Sequence, residues 1–178
     1  MKQVALLLLV ALLLNGCSGS NSPVQQASGS VWQAQLSGGT GSASGLSFIT
    51  QFTINGGGSL SISNFQLLNA GTCLPVTTGD SASGSITNLD VVSTSGAVTG
   101  DFSFTVQGNS NTLTLTGTLT GTETGAQLGT TDVGTFTAAT ITGSWTLSGA
   151  TTCTDAGGDT SFIMTLCTSG GSCPTTTT

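Results

Sequence analysis

Apolar side chains recur at every second position over most of the chain, and glycine-rich turns interrupt the pattern at short intervals. A period of two places alternate side chains on opposite faces of a strand. No stretch beyond the leader shows a 3.6-residue amphipathic repeat, so the pattern predicts an all-β protein. Trp32, Ala34 and Leu36 alternate with Gln33 and Gln35 in a first strand, and Leu46, Phe48, Phe52 and Ile54 share one face of a second. Gly56-Gly57-Gly58 turns the chain into a third strand, in which Leu60 and Ile62 have the opposite parity to Phe65 and Leu67. A bulge near Ser63 or Asn64 is needed to return all four to one face. Ile86, Leu89 and Val91 mark a fourth strand with a second parity break. Phe102, Phe104 and Val106 run up to Gly108-Asn109-Ser110-Asn111, and Leu113, Leu115 and Gly117 come back. That hairpin pairs Val106 with Leu113 and Phe104 with Leu115. Phe136, Ala138 and Ile141, then Trp145 and Leu147, and finally Phe162, Met164 and Leu166 bring the total to eight or nine strands. Sequential strands joined by short turns predict an antiparallel up-and-down β-barrel of about eight strands, with a meander-rich β-sandwich as the alternative.

The cysteines add a constraint. Of the five, Cys17 closes the leader, and Cys73, Cys153, Cys167 and Cys173 remain for the folded part. Their wide spacing, the lack of a CxxC pair and the absence of histidine argue against zinc and for two disulfides, for which three connectivities exist. Aligning the last hairpin with Gly149 opposite Phe162, Leu147 opposite Met164 and Cys167 opposite Ser144 puts Cys153 near the turn and Cys167 at the far end. This favours Cys73 with Cys153 and Cys167 with Cys173.

The leader carries Lys2, an apolar run from Val4 to Leu14, and then Leu14-Asn15-Gly16-Cys17. Such a run has the form of a secretory signal and is too short to span the roughly 30 Å of a bilayer core as a helix. It resembles the lipobox of bacterial lipoproteins, with Leu three residues before the cysteine and a small residue just before it. The resemblance implies cleavage after Gly16, a diacylglyceryl group on the Cys17 thiol and acylation of the new amino terminus. Ser18, where an Asp favours the inner membrane, points to the outer one. An ordinary secretory signal with an incidental cysteine is the alternative. On this reading residues 1–16 are removed, 17–30 form a lipidated tether with a reach of about 20 Å, 31–167 form a single β domain and 168–178 a threonine-rich tail.

Charge narrows the function classes. Lys2 is the one basic residue and the chain has neither histidine nor tyrosine, while the seven acids are Asp80, Asp90, Asp101, Glu123, Asp132, Asp155 and Asp159. An anionic domain repels nucleic-acid backbones and anionic headgroups, so attachment to a membrane must rest on acyl chains. Without histidine or lysine in the mature chain no Ser-His-Asp or Cys-His pair forms, and the scattered carboxylates suggest no catalytic pair, so no enzyme activity, metal or cofactor is expected. A membrane-spanning β-barrel is disfavoured, because two tryptophans and no tyrosine cannot build interfacial girdles.

Three local features invite a function. Trp32 and Trp145 are the residues best suited to line a cavity for an apolar ligand, although strand alternation also suits them to the core. Asp155-Ala156-Gly157-Gly158-Asp159 offers two carboxylates to Ca²⁺ but lacks a known ligand spacing and reads better as a hairpin turn. Thr112, Thr114, Thr116, Thr118, Thr120, Thr122 and Thr124 share one strand face. The run resembles the threonine arrays of ice-binding proteins without their repeat period, and fits a solvated, uncharged sheet face. The strand pattern loosely resembles the calycins. However, Gly29-Ser30-Val31-Trp32 is one residue longer than the Gly-x-Trp of lipocalins, no basic residue packs over the tryptophan, and the tyrosines used by avidins are absent. The expected function is therefore a non-catalytic structural or interaction module displayed on the envelope, facing a partner there. A small-molecule-binding barrel is the alternative and a threonine-array ice binder a remote one.

Overall fold

The computed structural model describes residues 29–167 and Cys173, except 42, 44, 56, 70–72, 75–80, 93–94, 109 and 125–134. Cys17, the leader, most of the tether and the threonine tail lie outside the described residues. The strands are β1 (Ser30–Leu36), β2 (Ser47–Ile54), β3 (Leu60–Asn69), β4 (Ser81–Val92), β5 (Ala97–Gly108), β6 (Asn111–Thr124), β7 (Thr135–Ser148) and β8 (Asp155–Leu166). They form one antiparallel sheet in the order β3-β2-β1-β8-β7-β6-β5-β4, so every pair but β1–β8 joins neighbours in sequence. The sheet curls into a partly closed barrel. Its edge strands, β3 and β4, meet at a single bridge, Ser59 to Ser85, beside the bond from the Ile86 N–H to the Gly58 carbonyl at 2.7 Å.

The parity breaks read from the sequence are the bulges of this sheet. Gln51 faces Asn64 and Phe52 faces Ile62, which leaves Ser63 as the extra residue. A second bulge at Leu68 and a third at Asn88, where φ is 51°, also fall on β3 and β4. Bulges sharpen the local twist and blunt an exposed edge, which accounts for two strands that meet at one point and do not zip together. The central hairpin pairs Val106 with Leu113 and Phe104 with Leu115, as the alternation requires.

Two expectations need correction. In the last hairpin Leu147 faces Asp155, not Met164, and Phe162 lies opposite Gly143, not Gly149; Met164 faces Ile141. The turn is made earlier, by a 3-10 helix at Thr151–Cys153, and a bulge of β8 between Gly157 and Phe162, with Thr160 at φ 63°, takes up the difference. The segment from Asp155 to Asp159 is therefore strand, not turn. In β7 the buried alanine is Ala139, while Ala138 is exposed, because a register shift at Glu123 opposite Phe136 changes the parity there.

The core fills the barrel. Trp32, Phe48, Phe52, Phe102, Phe104, Trp145 and Phe162 are each 2% exposed or less. Trp32 stacks on Phe52 at 5.4 Å between centroids, Phe48 on Phe104 at 5.7 Å and Phe102 on Phe104 at 5.9 Å. Each such side chain stabilises the fold by about 1.5–3 kcal/mol through burial alone. Cys73 is bonded to Cys153 and Cys167 to Cys173, the pairing expected from the sequence. The conclusion survives the wrong register because Cys153 stays beside the turn and Cys167 stays at the other end of β8, where its N–H donates to the Val31 carbonyl.

Candidate functional site

Strand direction sorts the connections between the two ends of the barrel. Ser30 and Cys167 lie at one end, together with Ile54, Val92 and Thr124, the last residues of β2, β4 and β6. At the opposite end lie the β1–β2 connection, Cys73 and Leu74, the β5–β6 turn and the turn before β8. This second end is the better organised. Leu74 is fully buried, and the Cys73–Cys153 bond ties its segment across to β8. Asn111 reinforces the tie: its amide donates to the Cys73 carbonyl at 2.7 Å and its side-chain oxygen accepts from the Ala150 N–H at 3.0 Å.

Asp155 organises the same end. Its carboxylate, 8% exposed, accepts from the Thr40 N–H at 2.8 Å, the Thr40 hydroxyl at 3.0 Å, the Gly41 N–H at 3.3 Å and its own neighbour's N–H, Ala156, at 2.9 Å. Convergent donors favour the ionised form: the Thr40 N–H is the largest influence, burial opposes it, and the Ala156 N–H, the Thr40 hydroxyl and the Ala43 N–H add to it. Together they lower the carboxyl from 3.8 to about 2. The sequence offers Asp155 and Asp159 as a Ca²⁺ pair but favours a turn there; in the structure the first is buried beneath Thr40 and the second is exposed. The two carboxylates do not converge.

Trp32 and Trp145, the cavity-lining candidates, are core residues at different levels of the barrel. The Trp145 indole N–H donates to the Ser37 carbonyl at 2.9 Å, so the ring is a post on which the β1–β2 connection rests. Trp32 packs between Phe52 and Phe136, edge-on to the latter at 5.8 Å, and among the described residues its indole N–H meets no hydrogen-bond acceptor. Near that end lies a residue sequence reading passed over, Glu123, which is 5% exposed and cross-strand from Phe136. The signal was present: if the threonines from Thr112 to Thr124 share the outer face, Glu123 between two of them must face inward. Asp90 and Asp101 stand exposed on the outside, with Asn88 donating to Asp101 at 2.6 Å. The buried carboxylates, Asp155 and Glu123, therefore sit at opposite ends of the barrel.

The threonine ladder does share the outer face of β6: Thr112 and Thr114 are half-buried, and Thr116 through Thr124 at alternate positions are exposed. It continues sideways, with Thr114 between Thr105 and Thr146, Thr118 beside Thr142, and Thr120 between Thr99 and Thr140. Hydroxyls bond to one another within it, Thr116 to Ser144 at 3.3 Å and Thr122 to Thr137 at 2.8 Å. These strands are antiparallel and curled, unlike a parallel solenoid. Comparison with protein-family models, with curated proteins and with solved structures returns no match.

Proposed function

We propose that this chain is an exported, lipid-anchored protein of the bacterial envelope whose β domain is a non-catalytic structural or interaction module. The observation that carries the reading is the aromatic interior: the seven rings that would have to line a ligand cavity pack against one another or against the sheet instead. Two disulfides agree with an oxidising, extracytoplasmic setting. The end that holds Ser30 would face the membrane, through Cys17 and the tether, in the outer membrane by the Ser18 argument. The disulfide-tied end would then be presented to a partner.

Mass spectrometry of the amino-terminal peptide tests the anchor: diacylglyceryl-cysteine at Cys17 is expected. Cys17→Ser should move the protein from the membrane fraction to the soluble one. An unmodified amino terminus elsewhere, or unchanged fractionation of Cys17→Ser, would overturn the lipoprotein reading. A lipid or metabolite that stays bound in native mass spectrometry would favour the small-molecule barrel over the interaction module.

A further inference from the structure

The segment Ser37–Gly41 leaves β1 and crosses the disulfide-tied end of the barrel as a strap. All five residues are exposed, while Asp155 and Trp145 beneath them are 8% and 1% exposed. Its base is fixed twice: the Ser37 N–H and hydroxyl both donate to the Ser161 carbonyl, at 2.6 and 3.0 Å, and the Ser37 carbonyl accepts from the Trp145 indole. Its tip is held differently. The hydrogen bonds that tether Gly38 through Gly41 to the barrel, among the described residues, all end on the Asp155 carboxylate. Between base and tip, Gly38 and Gly39 have φ of 71° and 78°, and Gly41 of 126°, values at which glycine alone moves without steric cost. Close approach also requires glycine at position 39, where an added Cβ would lie 2.8 Å from the Trp145 ring and 2.9 Å from the carboxylate.

We propose that Ser37–Gly41 is a hinged strap latched over Trp145 by the Asp155 carboxylate, and that removing this negative charge, by acid or by substitution, lifts the tip while the sheet stays folded. A single carboxylate is the whole latch, so its protonation removes the charge from every tip bond at once. No other ionisable group shares the site among the described residues: the strap has none, β7 presents Trp145 and Leu147, and Cys153 in the adjoining turn is disulfide-bonded. Asp159, further along β8, is exposed. Because the folded carboxyl lies below its ordinary value, the latch is complete above about pH 4 and is lost as pH falls through about 2. Opening would uncover an indole at the end of the barrel opposite Ser30 and Cys167.

Amide NMR of the full-length protein tests this. The Thr40 and Gly41 amide protons should titrate together with a midpoint near pH 2, while those of Leu115 and Leu119 in β6 stay put. At neutral pH, Asp155→Ala should speed Thr40 and Gly41 amide exchange by about tenfold or more, leave β6 protection intact and raise acrylamide quenching of tryptophan. Asp159→Asn should do none of these. Unchanged Thr40 and Gly41 exchange in Asp155→Ala, or loss of the β6 signals at the same pH as the strap signals, would overturn the proposal.

Discussion

Replacing Cys73 and Cys153 together by alanine is expected to cost about 4.5 kcal/mol, more than loss of the Cys167–Cys173 bond. The bond closes a loop across 80 positions, which contains β4, β5, β6 and β7. On the chain-entropy account the stabilisation grows with loop length, because the cross-link removes more freedom from the unfolded chain. Against a typical stability of about 5–15 kcal/mol for a domain, such a loss decides whether the protein is folded at 37 °C. The composition adds weight to this: Leu, Ile, Val and Phe make up only about a fifth of the chain after the leader, near the lower edge for a packed core. Asn111 would still hold the Cys73 carbonyl, so the segment around Leu74 is not wholly released. Urea unfolding followed by tryptophan fluorescence measures the change. A loss below about 1 kcal/mol would show that the unfolded chain is already compact enough for the cross-link to constrain little. The Cys167–Cys173 bond, across 6 positions, should contribute about half as much on the same account.

Gly143→Val should destabilise by about 3 kcal/mol, through backbone crowding and not lost contacts. Gly117 and Gly143 are directly opposed on β6 and β7, flanked in the same row by Phe102 on β5 and Phe162 on β8. The two phenylalanine rings meet 6.3 Å apart. Two glycines side by side let the strands approach so closely that a Cβ on Gly143 would lie 2.0 Å from the Thr116 carbonyl oxygen and 2.5 Å from the Gly117 Cα. Backbone cannot rotate out of the way as a side chain does, so the strands must part and weaken the ladder between Phe102 and Phe162. Gly158→Ala is the control, since nothing lies within 4 Å of a Cβ added there, and should change stability by no more than about 0.5 kcal/mol. Equal effects at the two positions would mean that strand propensity, and not the close approach, sets the cost.

The all-β class, the strand count, the central hairpin and the first bulge were legible in the sequence because each depends on side-chain parity. A half-buried sheet enforces parity strictly: a slip of one residue turns every apolar group toward water. The disulfide pairing was legible for a related reason, since it needed only the relative ends of a hairpin. The inward position of Glu123 follows from the same rule, by the parity of the threonines around it.

What the sequence could not determine are the places where parity is suspended. The bulge of β8 between Gly157 and Phe162 moves Leu147 opposite Asp155, and no local signal in a run of small residues announces where a strand will bulge. That shift decided the fate of Asp155, which the adjacent Gly157 and Gly158 made look like part of a turn and which the tertiary structure turned inward beneath Thr40. Along uninterrupted stretches of strand the inward-facing side chains follow from parity alone, because burial of alternate residues is a local rule. Only the tertiary structure decided how far the sheet closes, at one bridge between Ser59 and Ser85, and which carboxylate holds the strap. The first depends on the twist of the whole sheet and the second on donors from a segment more than a hundred residues away in the chain, and no local pattern encodes either.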